Sequence, residues 1–183
     1  MKYSSKDYDF VDRTALQLRL DYGYTSKIID IFSLAKDLNM QLIKYSSLTN
    51  EQRKKLMSFD ETKDGFTVMK TIEGELHYYT FYNDMVSPSR IKTTIAHEIK
   101  HVVFNEKEPT EKDEDLANHF ARYIQVPTCL AMNYVNLSPV DIIYDFDVST
   151  DIATNAFVSA KNRIEWNHST FSELEKEFIK KIK

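Results

Sequence analysis

The stretch His97-Glu98-Ile99-Lys100-His101, set within residues 90–127, decides how this chain is read. Two histidines four apart, with a glutamate after the first, form the H-E-x-x-H pattern of zinc peptidases. On a helix, positions i and i+4 share a face, so both imidazoles can reach one ion. With 5 histidines in the 183 residues, about 0.01 such matches arise by chance, so the motif needs support from its surroundings.

The surroundings supply it. Ser87-Pro88 reads as an N-cap followed by proline at the first helical position, and Asn105 with Pro109 closes the segment. A helix so bounded has roughly 17 residues and is about 25 Å long. With Ile91 at zero and about 100° per residue, Ile95, Glu98 and Val102 fall within about 40° of Ile91. His97 and His101 fall at about 240–280°. Glu98 therefore stands in an aliphatic stripe beside the histidine face, where burying a carboxylate without a partner is costly. Water next to a metal ion gives it one. Lys100, at about 180°, is expected to point away from the metal.

A third ligand is within reach. Thr110-Glu111-Lys112-Asp113 resembles a capping box with Asp in the Glu position, opening a helix to about residue 125. On it Glu114, Asn118, Ala121 and Gln125 share one arc, and Leu116, Phe120 and Ile124 another. Glu114 would complete two histidines and a carboxylate, the ligand set of many catalytic zinc sites, leaving the fourth position to water. Asn118, one turn on, is placed to orient a ligand from behind. His119 and Asp115 project away from that arc and are not expected to bind metal. The small Ala117 and Ala121 would allow the two helices to approach closely.

Residues 90–127 resemble the ImmA/IrrE family of metallo-endopeptidases. The family's arginine before the helix, its T-x-A-H-E-x-x-H core and its E-x-x-A-N-x-F-A second helix have counterparts. They are Arg90, Thr94 through His101, and Glu114-Asp115-Leu116-Ala117-Asn118-His119-Phe120-Ala121, ending at Pro127. Weaker likeness extends to Asn83 upstream and to Phe146-Asp147-Val148-Ser149 downstream. The resemblance implies one zinc ion on His97, His101 and Glu114, with Glu98 as general base, in agreement with the helical-face argument. Two departures stand out: Lys100 where the family usually has glycine, and Ile124-Gln125-Val126 where it has leucine-leucine-methionine. Neither removes a ligand.

The chain as a whole sets bounds. A length of 183 residues with 42% hydrophobic and 13% aromatic content suits one cored domain, or one with a small appendage. A net charge of −4 and a pI near 5.8 argue against a general nucleic-acid binder. Cys129 is the one cysteine, and neither a signal peptide nor an apolar run of membrane length is evident, so a cytoplasmic address and no membrane association are expected. Only 3 glycines point to a helix-rich protein with few strained turns.

The expected fold is α+β and helix-rich: a zincin-like peptidase with a small antiparallel sheet beside the H-E-x-x-H helix and a helical C-terminal segment. The division expected is a metallopeptidase domain over residues 1–127 and a helix-turn-helix-like subdomain over residues 128–183. Helices are expected over about 7–21 and, capped by Ser26, over about 27–38. A strand over 40–45 precedes a loop or short helix over 46–55, then a hairpin over 65–72 and 75–82 turning at Glu73-Gly74. By analogy with zinc peptidases generally, Leu76 to Tyr82 is the candidate edge strand for a substrate backbone. His77, Tyr78 and Tyr79 read first as aromatic packing on the sheet.

Further on, Ser138-Pro139 opens a short helix to about 145, Ser149 a longer one to about 166, and a lysine-bearing amphipathic helix covers 171–183. Between Ser138 and Glu165 the acids Asp141, Asp145, Asp147, Asp151 and Glu165 outnumber Lys161 and Arg163, which favours packing or protein contact over DNA binding. Trp166 reads as a packing anchor and His168 as a loop residue.

Zinc in such a setting is the chemistry of peptide hydrolysis. The resemblance implies a protein substrate, a helix-turn-helix transcriptional repressor encoded nearby, whose cleavage derepresses genes. The alternative is a zinc-containing regulator that sequesters a repressor without cutting it. A structural zinc closed by Cys129 is a further possibility.

Overall fold

The computed structural model describes residues 5–57, 64–166 and 170–182. Along the chain these form α1 (Ser5–Asp21), α2 (Ile31–Asp37), β1 (Met40–Lys44), α3 (Asn50–Met57), β2 (Gly65–Ile72), β3 (Glu75–Tyr82), α4 (Pro88–Val103), α5 (Glu111–Gln125), α6 (Thr128–Ala131), α7 (Pro139–Phe146), α8 (Thr150–Glu165) and α9 (Glu173–Lys181). Single 3-10 turns at Tyr45–Ser47 and Met132–Tyr134 complete the order. The protein is helix-rich with one small sheet, a zincin-like α+β fold. Among the described residues no helix is long and apolar enough to cross a membrane.

Contacts gather into two units, Ile31–Asp113 and Met1–Asp30 with Glu114–Lys183; α5 runs through the division, its first turn in the first unit. In the first unit the strand order is β1-β3-β2. β2 and β3 are the antiparallel hairpin the alternation foretold, turning at Glu73 (φ 53°) and Gly74 (φ 86°). β1 joins β3 in parallel, Met40 opposite Tyr78 and Lys44 opposite Tyr82, so the sheet is mixed rather than antiparallel.

That pairing overturns the reading of Leu76 to Tyr82 as an edge over most of its length, from Tyr78 to Tyr82. β3 is the central strand, bonded on both sides from Tyr78 to Tyr82, and cannot accept a third partner there; Glu75 to His77 are paired with β2 alone. The outer strands are β1 and β2.

Side chains alternate across the sheet. Gly65, Thr67, Thr80 and Tyr82 share the face that α4 covers, with Thr67 Oγ1 and Thr80 Oγ1 2.9 Å apart. Phe66 and Phe81 stack on the other face, ring centroids 5.2 Å apart. At Gly65 strand and helix nearly touch: a Cβ there would lie 2.6 Å from Thr94 Cγ2 and 2.9 Å from the Phe81 carbonyl. Arg90 pairs with Asp64 just before the strand, and the Asp64 carbonyl accepts the Asn83 amide at 2.7 Å. Asn83 in turn accepts from the Met85 amide at 3.0 Å. The start of α4 is therefore fastened to both strands of the hairpin.

The other unit is assembled around a buried cation. Arg19 of α1 is fully buried, and its guanidinium donates to the carbonyls of Tyr24 (3.0 Å), Ile124 (2.9 Å) and Ser26, with Phe178 of α9 stacked at 4.8 Å. α2 starts at Ile31 and not after Ser26. The carbonyl that would open a helix at Ser26 accepts from Arg19 instead.

α7 and α8 pack as a helix pair, Ser138 capping one with Asp141 in a capping box and Ser149 capping the other; Asp147 makes the turn at φ 50°. Asp141, Asp147 and Asp151 are exposed. Trp166 ends α8 68% exposed, so it is not the packing anchor its size suggested. α9 begins at Glu173, later than expected, because Ser172 and Glu175 close a capping box there.

Glu175 also takes both ends of the Arg163 guanidinium and accepts the Ser172 amide at 2.8 Å. Burial pushes its carboxyl up, but the Arg163 and Ser172 donors outweigh that and hold it below the ordinary 4.5. A carboxylate depressed on folding adds stability above its unfolded value and loses it as pH falls through the folded one. Glu175→Gln should therefore lower unfolding free energy by about 1–3 kcal/mol at neutral pH. In denaturant titrations the gap from wild type should shrink below pH 4.5. Gly65→Ala should cost about 1–3 kcal/mol in the same titrations, because the Phe81 backbone at its Cβ cannot yield.

Candidate metal centre

α4 is built as its sequence implies, with one exception. Pro88 occupies the first turn and the Ile91 amide bonds the Ser87 carbonyl at 3.0 Å, though the Ser87 side chain makes no cap bond. Ile95, Glu98 and Val102 are buried together, so Glu98 does lie in the aliphatic stripe, only 5% exposed. His101 is buried and His97 half-buried; their Nε2 atoms face each other 3.1 Å apart.

α5 opens with the expected capping box: the Thr110 amide bonds Asp113 Oδ2 at 2.9 Å and the Asp113 amide bonds Thr110 Oγ1 at 3.3 Å. The Thr110 donors hold the Asp113 carboxyl below its ordinary value. Glu114 follows directly. His97, His101 and Glu114 each offer a ligand atom, and these atoms lie within 4.8 Å of one another. Among the described residues this is the group that could hold a metal ion.

The donor set fits such an ion. Two nitrogens bound tetrahedrally at 2.0–2.1 Å stand about 3.3 Å apart, close to what the histidine pair presents. Two histidines, one carboxylate and an open position are the make-up of a catalytic zinc site rather than a structural one. Cys129 is no part of the group; it is buried, and burial pushes its thiol up to about 12.

Asn118 sits exposed one turn beyond Glu114 on α5. His119, set aside on spacing, bonds Asp12 at 2.6 Å and packs edge-on against Tyr8. Asp115 is exposed. His77 and Tyr79 stack on one face of the central strand, with Tyr78 on the other. His168 lies outside the described residues.

One neighbour of the histidines escaped the sequence reading altogether. Phe104 ends α4, Asn105 follows in the left-handed region at φ 53°, and the Glu106 amide bonds the His101 carbonyl at 2.9 Å while the Asn105 amide bonds that of Val102 at 3.1 Å. This is a Schellman turn. It folds Glu106 back under the last turn, where Oε2 meets His101 Nδ1 at 2.7 Å. A carboxylate on Nδ1 leaves the Nε2 lone pair facing His97.

Lys100 completes the arrangement. It is fully buried, and its ammonium donates to both oxygens of Glu106 at 2.6 and 2.7 Å and to the Asp113 carbonyl at 3.1 Å. Burial pushes the Glu106 carboxyl above its ordinary value while Lys100 pulls it down. The wheel placed Lys100 away from the histidines, and its Cα is so placed. The flexible side chain nevertheless turns to the carboxylate that holds one of them.

On a zincin-like fold, α4 and α5 bring together two histidines and a glutamate that could hold a metal ion. The family model for the Peptidase M78 group, the IrrE N-terminal-like domain, matches residues 43–156, more than half of the chain. The chain belongs to that metallopeptidase family. No curated protein and no solved structure matches it.

Proposed function

We propose that the protein is a zinc-dependent endopeptidase in which His97, His101 and Glu114 hold the ion and Glu98 is the general base. The observation that carries this reading is the convergence of the three ligand atoms within 4.8 Å. Family membership agrees with it. Zinc, when bound, contributes Lewis acidity that polarises a carbonyl and lowers the pKa of water towards about 7.

The protein's own groups supply the rest. Glu98, one residue past His97 and walled by Ile95 and Val102, takes the proton of the attacking water and returns it to the departing amine. Asn118 steadies the carboxylate of Glu114 from one turn away. An outer strand offers a full edge for a substrate backbone, and of the two it is β2 that meets α4, at Gly65. The substrate is a cognate helix-turn-helix repressor, by the family resemblance, and the reaction takes place in the cytoplasm without DNA contact by this chain.

Incubation with the repressor encoded beside its gene should yield two fragments, abolished by a chelator and restored by added zinc. Binding without fragments would favour sequestration instead. Glu98→Gln should keep zinc at one equivalent by metal analysis and lose turnover by about 10²–10⁴-fold. His97→Ala should lose both metal and cleavage; a full zinc complement in that variant would refute the ligand assignment.

A further inference from the structure

The most unusual group near the centre is the ammonium of Lys100. A lysine with a fully buried side chain is rare unless paired, because the charge loses its water. Here its partners are themselves informative. One is Glu106, which also meets Nδ1 of His101 at 2.7 Å and the Asp113 side chain. The second is the carbonyl of Asp113 at 3.1 Å, in the first turn of α5, one residue before Glu114. Asp113 Oδ1 lies a further 3.8 Å from the ammonium, and Phe104 presents its ring at 5.1 Å. Three backbone features are thereby drawn to one charge: the last turn of α4, the Schellman turn after it and the opening of α5.

We propose that Lys100 is a positioning residue of the metal centre, fixing His101 through the Glu106 carboxylate and the turn that carries Glu114 through the Asp113 carbonyl. This rests on the reading of His97, His101 and Glu114 as metal ligands. The physical reason is that ligand affinity depends on how well ring orientation is set before the ion arrives. A carboxylate with no second partner can swing away from the imidazole. One gripped through both oxygens by a buried ammonium cannot do so without leaving that charge unmatched. The lone pair of His101 Nε2 is then held on the shared ligand position by a chain of two charge-assisted bonds.

The test measures metal affinity, not activity. Full-length wild type, Lys100→Met, Glu106→Gln and the double variant are titrated with zinc against a chromophoric chelator, and the cobalt forms are compared by visible absorption. Met keeps the volume of the lysine stem, and the double variant removes both charges so that neither is left buried alone. Far-UV circular dichroism of the metal-free proteins checks folding.

Lys100→Met should weaken zinc binding by about 10–100-fold and alter the cobalt band, with the metal-free fold retained. Because Lys100 acts largely through Glu106, the double variant should bind zinc no more than a few-fold more weakly than Glu106→Gln. Equal zinc affinity in folded Lys100→Met and wild type would overturn the proposal, as would fully multiplicative losses in the double variant. Should Lys100→Met not fold, the comparison of Glu106→Gln with the double variant decides by the same criterion. Failure of wild type itself to bind zinc would instead strike down the metal-centre reading beneath it.

Discussion

The carboxylate of Glu106, shared between Nδ1 of His101 and the buried ammonium of Lys100, is the interaction on which the centre turns. Helical spacing puts two histidine Cα atoms on one face but says nothing about where their rings point. Ring orientation is a matter of two side-chain torsions, and here a hydrogen bond of 2.7 Å settles it for His101. That bond exists only because Asn105 enters the left-handed region and returns Glu106 beneath the helix end. Asparagine tolerates that conformation better than most residues, so a local backbone preference is translated into the tautomer of a buried imidazole.

Most of the local architecture was legible because it is written in periodicity and caps. The H-E-x-x-H helix, the second helix with its Thr110–Asp113 box, the hairpin, and the Ser149 and Ser138 caps lie where spacing put them. What was not legible depends on groups distant in sequence. The position of β3 inside the sheet follows from β1, more than thirty residues earlier, pairing with it in parallel, and no pattern within 75–82 encodes that. Where a helix was expected to open, the Ser26 carbonyl accepts from Arg19, and α2 begins at Ile31. Glu106 was overlooked for a different reason: a wheel argument stops where the helix does, although asparagine then glutamate after the last turn was a readable sign of a chain that doubles back.

The same device appears in each unit, a buried cation that gathers backbone. Arg19 does it with a planar fork, satisfying carbonyls from the segment after α1 and from α5, and burial lowers its pKa to about 10, still well above neutrality. Guanidinium suits this because five donors in a fixed plane can meet several carbonyls at once without any neutralising carboxylate. Lys100 has a single compact charge, and it sits against a carboxylate that can match it.

That contrast separates scaffolding from site. Breaking the contacts of Arg19 leaves carbonyls without donors, and the loss is one of stability. A buried ammonium–carboxylate pair offers little net stability, since desolvating both charges consumes most of their attraction and an apolar pair of equal volume often does as well. The Lys100–Glu106 pair is therefore poorly explained as a stabilising feature. Its geometry is better accounted for by direction: the carboxylate points its remaining capacity at His101, and the ammonium its third bond at the carbonyl next to Glu114. Both ends of the pair terminate on the groups that a metal would need held still. A polar cluster whose bonds lead to a proposed ligand, or to the residue beside one, fits an arrangement around those ligands better than one around the core.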